Sequence, residues 1–414
     1  MKFILDELKE RSLLKQVTNE KKIKKAQEIN SGVYCGIDPT ANSLHIGHLV
    51  QLLNLKRFYE FGFKPLAVIG GATGMIGDPS FKSQERKLLS TEEINLNVSA
   101  IKKQIKNLIP NVEVINNETW LASISLIDFL REIGKDFNLA YLLAKENIAS
   151  RIETGLSITE FSYAMLQAYD FYWLYKTKNC YVQLGGSDQW GNITCGTDYI
   201  SSKVDNNNSK ACGITINLLT KKDGVKFGKT ESGTIWLDKE KTSEYEFYQF
   251  FFNQNDQDLE ILFYFLTTLP VKDIQKILQD HNKEPFKRNG QKILATEITK
   301  WVHGENGLQQ AVKITESFFQ GKLHLLAKED LKTISNSIPS SVVNKNLTFI
   351  EFLVNSKISS SNREARELIN DKAISISTKN DFLESDIIDE KYYSYENVII
   401  VKKGKKKYFS VKCV

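Results

Sequence analysis

No long apolar run, no close pair of cysteines and no repeated or low-complexity tract occurs in this 414-residue sequence. Its apolar stretches fall short of the length that crosses a membrane. Residues 1–25 read as helical and charged throughout, without the apolar core of a signal peptide. Cys35, Cys180, Cys195, Cys212 and Cys413 are odd in number and scattered. Such a set suits reduced thiols better than a disulfide framework or a zinc site. The expectation is a cytoplasmic protein with no membrane span. What is present is an ordinary globular composition, 41% hydrophobic and 25% charged. The length points to two or three domains. A net charge of +5 permits an RNA partner without requiring one.

Residues 33–62 organise the rest. Val33-Tyr34-Cys35-Gly36-Ile37-Asp38 reads as a buried strand, followed by a turn at Pro39 and a helix opening His45-Ile46-Gly47-His48. Ser43 is the expected N-cap, its hydroxyl accepting a first-turn amide. Ile46, Leu49, Val50 and Leu53 recur at helical spacing and face a core. His45 and His48, three apart, share one face of the first turn, where unpaired amides favour anions. Gly47 leaves the approach to that face open. The arrangement reads as a phosphate cradle.

Residues 65–71 are a near-continuous apolar run of the kind buried in parallel sheets, ending in paired glycines. The glycine-rich loop 70–80 carries Asp78, and Lys82 and Arg86 follow in a polar stretch. A long helix over about 92–108 leads to a strand at 112–115. Strands alternating with helices predict an α/β fold, a doubly wound Rossmann-like sheet. Residues 118–180 read as a helical insertion between two halves of that sheet. Its apolar stripes are Leu126, Phe129, Leu130 and Ile133, then Phe161, Met165 and Ala168. The sheet resumes at 181–184 and again at 213–218, ahead of a lysine loop at 226–230. The expected domains are 1–235 for the sheet, 236–320 helical, 321–344 a serine-rich linker, and 345–414 a small α+β unit ending in a basic hairpin at 402–407.

Three loops, 38–48, 70–78 and 185–192, each follow a predicted parallel strand. In an open α/β sheet such carboxyl ends converge on one crevice, where ligands bind. The lysine loop beyond the last strand can close over it. Singly, each feature reads as ordinary packing or a solvated turn. Combined, two imidazoles, two lysines and several bare amides make an anion site with room for a nucleoside triphosphate.

These residues resemble the motifs of class I aminoacyl-tRNA synthetases. His45-Ile46-Gly47-His48 matches their first signature without substitution. Lys226-Phe227-Gly228-Lys229-Thr230 resembles the second, Lys-Met-Ser-Lys-Ser, keeping both lysines and departing at three positions. Within that class the chain is similar over essentially its whole length to the bacterial tyrosyl group. The shared stretches are Tyr34-Cys35-Gly36-Ile37-Asp38-Pro39-Thr40, Gly77-Asp78-Pro79-Ser80, Phe161-Ser162-Tyr163 through Gln167 to Asp170, and Gly185-Gly186-Ser187-Asp188-Gln189-Trp190-Gly191-Asn192. The tryptophanyl group shares fold and signatures, but Tyr34 with Asp170 argues against it.

The resemblance implies a reaction: tyrosine and ATP give tyrosyl-adenylate and pyrophosphate, and the tyrosyl group passes to the terminal adenosine of a tRNA. A substrate carboxylate is ionised at neutral pH, so attack on the α-phosphate needs no general base. Alignment and stabilisation of charge on the leaving pyrophosphate are what a protein must supply. On this resemblance His45, His48, Lys226, Lys229 and Thr230, with Lys82 and Arg86, serve the ATP phosphates, and Mg²⁺ arrives bound to ATP. Gly36, Asp38, Thr40, Gly47 and Asp188 join Lys229 in binding ATP. Asp78, Tyr163, Gln167 and Gln189 hold the ammonium and carboxylate end of tyrosine. Tyr34 and Asp170 test its phenol, which both donates and accepts. Phenylalanine would leave the buried carboxylate unpaired. The C-terminal unit resembles an S4-type RNA-binding domain, with Arg363, Arg366, Lys372 and Lys405 meeting phosphates. The helical domain is expected at the anticodon region, and a homodimer is expected from the family.

Overall fold

Six short strands build the sheet that places the site: β1 (Leu14–Val17), β2 (Gly32–Ile37), β3 (Lys64–Ile69), β4 (Glu113–Asn116), β5 (Cys180–Gly186) and β6 (Cys212–Ile216). They stand in the order β1-β6-β5-β2-β3-β4, and every pairing is parallel except that of β1 with β6. Val33, Ile37, Leu66, Val68, Val182, Leu184 and Ile214 are all buried. Side chains on both faces are therefore covered, which is why these strands read as apolar runs rather than alternations. The computed structural model describes residues 2–80, 89–145, 148–149, 152, 155–204, 208–220, 227–230, 233–320, 323, 326–376, 379–404 and 407–414.

The chain leaves β2 toward β3 and β4, then returns at β5 on the other side of β2. Loops after β2 and β5 thus diverge at a topological switch point, which opens a crevice. The helix Ile46–Glu60 follows β2 and packs on β2, β3 and β5. Thr91–Leu108 joins β3 to β4, Ile158–Lys178 runs into β5, and Trp190–Val204 leaves it. Residues 1–31 hold two helices, Ile4–Glu10 and Glu20–Glu28, as their pattern suggests. Between them lies β1, which the pattern does not show: it is four residues long and takes its identity from antiparallel pairing with the edge of β6. A two-residue ladder, β7 (Lys229–Thr230) with β8 (Gly233–Thr234), follows β6.

The expected helical domain at 236–320 is not one body. The chain divides into two compact units, one of 1–238 with 254–294 and one of 239–253 with 295–414. Buried arginines explain why 254–294 joins the sheet. Arg57, near the end of the Ile46–Glu60 helix, donates to the carbonyls of Tyr264 (2.8 Å) and Thr267 (2.5 Å), and Arg11 donates to Leu269 O at 2.6 Å. A guanidinium offers five donors in a fixed fork, so it satisfies several helix-end carbonyls at once.

In the second unit the segment expected as a linker at 321–344 carries regular structure among its described residues. It holds a helix, Lys328–Ser337, and β9 (Ser340–Val343). Leu331 and Ile334, three apart, are buried with Ile314, Leu326 and Ile400. Ser335 and Ser337 lie within the helix and Ser340 and Ser341 within β9; Ser337 Oγ donates to Thr333 O, the back-bonding that lets serine sit in a helix. The sheet is completed by β10 (Ile374–Ile376), β11 (Val398–Lys403) and β12 (Lys407–Cys413), in the order β10-β11-β12-β9, with only β12–β9 parallel. Two short helices, Phe349–Asn355 and Asn362–Asn370, cover a core that includes Phe349, Phe352, Leu353, Ile399 and Val401.

Candidate active site

The helix after β2 begins at Ile46, not at a cap from Ser43. Ser43 Oγ donates to Leu44 O and accepts from Gln104, while His45 is the extended residue that caps the helix. His45 Nδ1 accepts from Gly47 N at 3.0 Å, and His48 Nδ1 accepts from His45 N at 3.2 Å. Ile46 N is held by Ile235 O and His48 N by His45 O. The first three helix amides are therefore engaged within the fold, which corrects the expectation of unpaired amides in this turn. His48 is half-buried; burial, then the neighbouring His45 ring, holds it well below the usual histidine range. It is neutral at pH 7, and with Nδ1 accepting, its proton sits on Nε2. Gly47 has a reason of its own: a Cβ there would lie 2.7 Å from His45 Cε1 and displace the capping ring.

The two histidines line a cavity of about 690 Å³ at the carboxyl ends of β2, β3, β5 and β6. The same cavity gathers Tyr34, Gly36, Asp38, Thr40, Gly47, Asp78, Tyr163, Gln167, Asp170, Asp188 and Gln189. From the lysine loop, Phe227 and Gly228 line it too. Gly228 has φ 98°, a left-handed turn that glycine takes at no steric cost. That turn sets it against Ile46 and Gly47. Lys82, Arg86, Lys226 and Lys405 lie outside the described residues, and of Lys229 and Thr230 the backbone ladder alone is described.

One end of the cavity is built around Asp170, which is buried on the helix Ile158–Lys178. Trp120 Nε1 donates to its Oδ1 at 2.7 Å and Asn117 Nδ2 to its Oδ2 at 2.9 Å. Trp120 is fixed by stacking on Trp173 at 4.1 Å. Burial still dominates those donors and pushes the Asp170 carboxyl up to about 7. Opposite stands Tyr34, whose buried hydroxyl has no hydrogen-bond partner among the described residues. Burial, reinforced by the Asp170 charge, raises its phenol well above 10, so it remains a donor. A buried carboxylate with lone pairs to spare and a buried hydroxyl with none of its bonds made are complementary to one phenol.

Elsewhere on the lining, Asp38 accepts from Tyr163 (3.0 Å) and Thr73 (3.1 Å), and Gln189 Nε2 donates to Asp78 at 2.7 Å. Asn192 ties Gln167 to Gln189, both at 3.2 Å. The sequence reading missed Asn117, Trp120, Thr73 and Asn192. The one available signal was the Asn116-Asn117 pair directly after a strand, at the same sheet edge as the other loops. In the second unit Arg363, Arg366 and Lys372 are on the surface, each paired with a carboxylate: Glu367, Glu384 and Asp381.

A family model described as tRNA synthetases class I (W and Y) matches residues 25–320, and one described as the tyrosine–tRNA ligase SYY-like C-terminal domain matches 330–411. The tyrosine–tRNA ligase of Mycoplasma mycoides subsp. mycoides is 57% identical over 414 residues, 99% of this chain and 98% of the relative. That of Mycoplasma capricolum subsp. capricolum is 56% identical with the same coverage. A solved, C-terminally truncated mitochondrial tyrosyl-tRNA synthetase from Coccidioides posadasii is similar at a TM-score of 0.67 and 32% identity, covering 76% of this chain and 92% of that one.

Proposed function

This chain belongs to the class I tRNA synthetases of the tryptophan and tyrosine type, and from that premise we propose that it is a tyrosine–tRNA ligase. It joins tyrosine to ATP as tyrosyl-adenylate with release of pyrophosphate, then transfers the tyrosyl group to the terminal adenosine of its tRNA. The observation that carries the reading is a single cavity lined both by Tyr34 and Asp170 and by His45 and His48.

Tyrosine enters with its phenol between Asp170, which accepts, and Tyr34, which donates. Its ammonium group lies toward Asp78, Tyr163 and Gln167, and Gln189 sits by the carboxylate. ATP lies along Gly36, Thr40 and the histidine turn, with its ribose toward Asp188. The carboxylate attacks the α-phosphorus; the bond to the pyrophosphate oxygen breaks, and its electrons leave with pyrophosphate. His48 donates through Nε2–H to the oxygens that gain charge, a task we assign also to His45, Lys226, Lys229 and Thr230. Mg²⁺ bound to ATP would share that charge. Neutral imidazoles suit this task, because the step needs fixed donors and no proton transfer.

The second unit takes the RNA, with 345–414 as an S4-like domain in which Arg363, Arg366 and Lys372 exchange their carboxylate partners for phosphates. A homodimer is supported by apolar side chains left bare in the 118–180 insertion, with Leu126 71% and Ile158 86% exposed. No helix among the described residues is long and apolar enough to cross a membrane, and the cytoplasm is where we place the protein.

Pyrophosphate exchange into ATP tests the reading. Exchange should depend on tyrosine, and exchange supported by tryptophan alone would overturn it. Lys229→Ala should leave tyrosine binding nearly intact while slowing adenylate formation about 10²–10³-fold, the usual effect of removing one well-placed donor. Unchanged turnover would take that lysine out of the site.

A further inference from the structure

Asp170 and Tyr163 stand on the same helix, seven residues apart, or about 10 Å along its axis. Between them runs an unbroken chain of side-chain hydrogen bonds. Asp170 Oδ2 accepts from Asn117 Nδ2 at 2.9 Å, and the same nitrogen donates to Thr73 Oγ1 at 3.0 Å. Thr73 Oγ1 donates onward to Asp38 Oδ1 at 3.1 Å, and Asp38 Oδ2 accepts from Tyr163 at 3.0 Å. The helix closes these bonds into a ring. Asn117 is wholly buried, and its Oδ1 accepts from Ala72 N at 2.9 Å, so the amide cannot rotate without losing three bonds. Thr73 is 3% exposed, and its hydroxyl both accepts and donates within the ring. Asp38, Thr73, Asn117, Tyr163 and Asp170 all border the one cavity.

We propose that Asn117 and Thr73 are positioning residues that hold the two ends of the amino-acid pocket at a fixed separation, so that the site measures how far a substrate's hydroxyl lies from its ammonium group. The inference rests on the tyrosine reading above. A buried network satisfied at every joint resists deformation, and breaking any joint strands a donor or acceptor. A ring opened once loses its rigidity, and opening it again costs little more. Contacts acting independently would instead add.

The test compares para-tyrosine with meta-tyrosine in pyrophosphate exchange by the full-length chain. Thr73→Val and Asn117→Ser open the ring at different joints. Each should lower the para-to-meta ratio of kcat/KM about tenfold, chiefly through loss on the para substrate. The double variant should fall no more than about twofold below either single, and Thr73→Ser should recover the ratio. Melting midpoints of all variants are measured alongside, and a simple packing defect would lower both substrates equally. An unchanged ratio, equal losses on the two substrates, a roughly hundredfold additive drop in the double variant, or no recovery by serine would each overturn the proposal. Wild-type protein that shows no tyrosine-dependent exchange would instead overturn the ligase reading.

Discussion

Tyrosine should bind more weakly as the pH falls through 7. On the proposed reading the acceptor for its phenol is Asp170, whose burial pushes it up to about 7 against the opposing pull of Asn117 and Trp120. A protonated carboxyl would present a donor where the substrate also presents one, so the ionised site is the one that binds. Simple titration leaves about half of empty sites ionised at pH 7, about a tenth at pH 6 and about nine-tenths at pH 8. Since apparent affinity scales with the competent fraction, it should fall roughly fivefold from pH 7 to 6 and rise less than twofold from 7 to 8. For the empty fold the same raised carboxyl acts in the opposite sense. Its contribution to stability is complete below the ordinary value of 3.8 and is lost as the pH rises through about 7. Calorimetric titration with tyrosine from pH 5.5 to 8.5, with Asp170→Asn as a flat control, measures the effect. A level profile between pH 6 and 8, or tighter binding in acid, would refute the assignment of Asp170 as an ionised acceptor.

Trp120→Phe removes the 2.7 Å donor on Asp170; losing a hydrogen bond to a charged group should move that binding midpoint up by about one to two pH units, read in the same titration. Gly47→Ala should cut pyrophosphate exchange about a hundredfold through the displaced His45 ring while leaving the melting midpoint unchanged or higher; full activity would show that the ring tolerates the methyl group. Arg57→Met strands the carbonyls of Tyr264 and Thr267 and should destabilise the fold by about 2–4 kcal/mol, seen in urea unfolding, with the KM for tyrosine unaffected in the folded protein.

Much of the crevice was legible because it rests on local pattern: apolar runs ending in glycines, and a strand leading through Pro39 into a histidine-bearing turn. Helix ends were harder. Ser43 has the better capping chemistry on propensity, yet the extended backbone at His45 (φ −127°) and the bond from Ile46 N to Ile235 O decide where the helix starts. A partner almost two hundred residues away leaves no local mark. Asn117 and Trp120 were missed for the same reason: their hydrogen bonds to Asp170 span about fifty residues, and nothing in their spacing announces them. Residues 321–344 misled because serine suggests a tether, while the informative pair was Leu331 and Ile334. The split of 236–320 between two units depends on Arg11 and Arg57, whose burial follows from tertiary contacts alone.

His48 hands its Nδ1 to the backbone of His45, and that ring cannot pick up a second proton without loosening the opening turn of its helix. His48 thus stays uncharged as acidity drifts around neutrality, whereas Asp170 changes its charge there. On the proposed reading, mild acid would reach the enzyme first through the amino-acid pocket rather than through this imidazole.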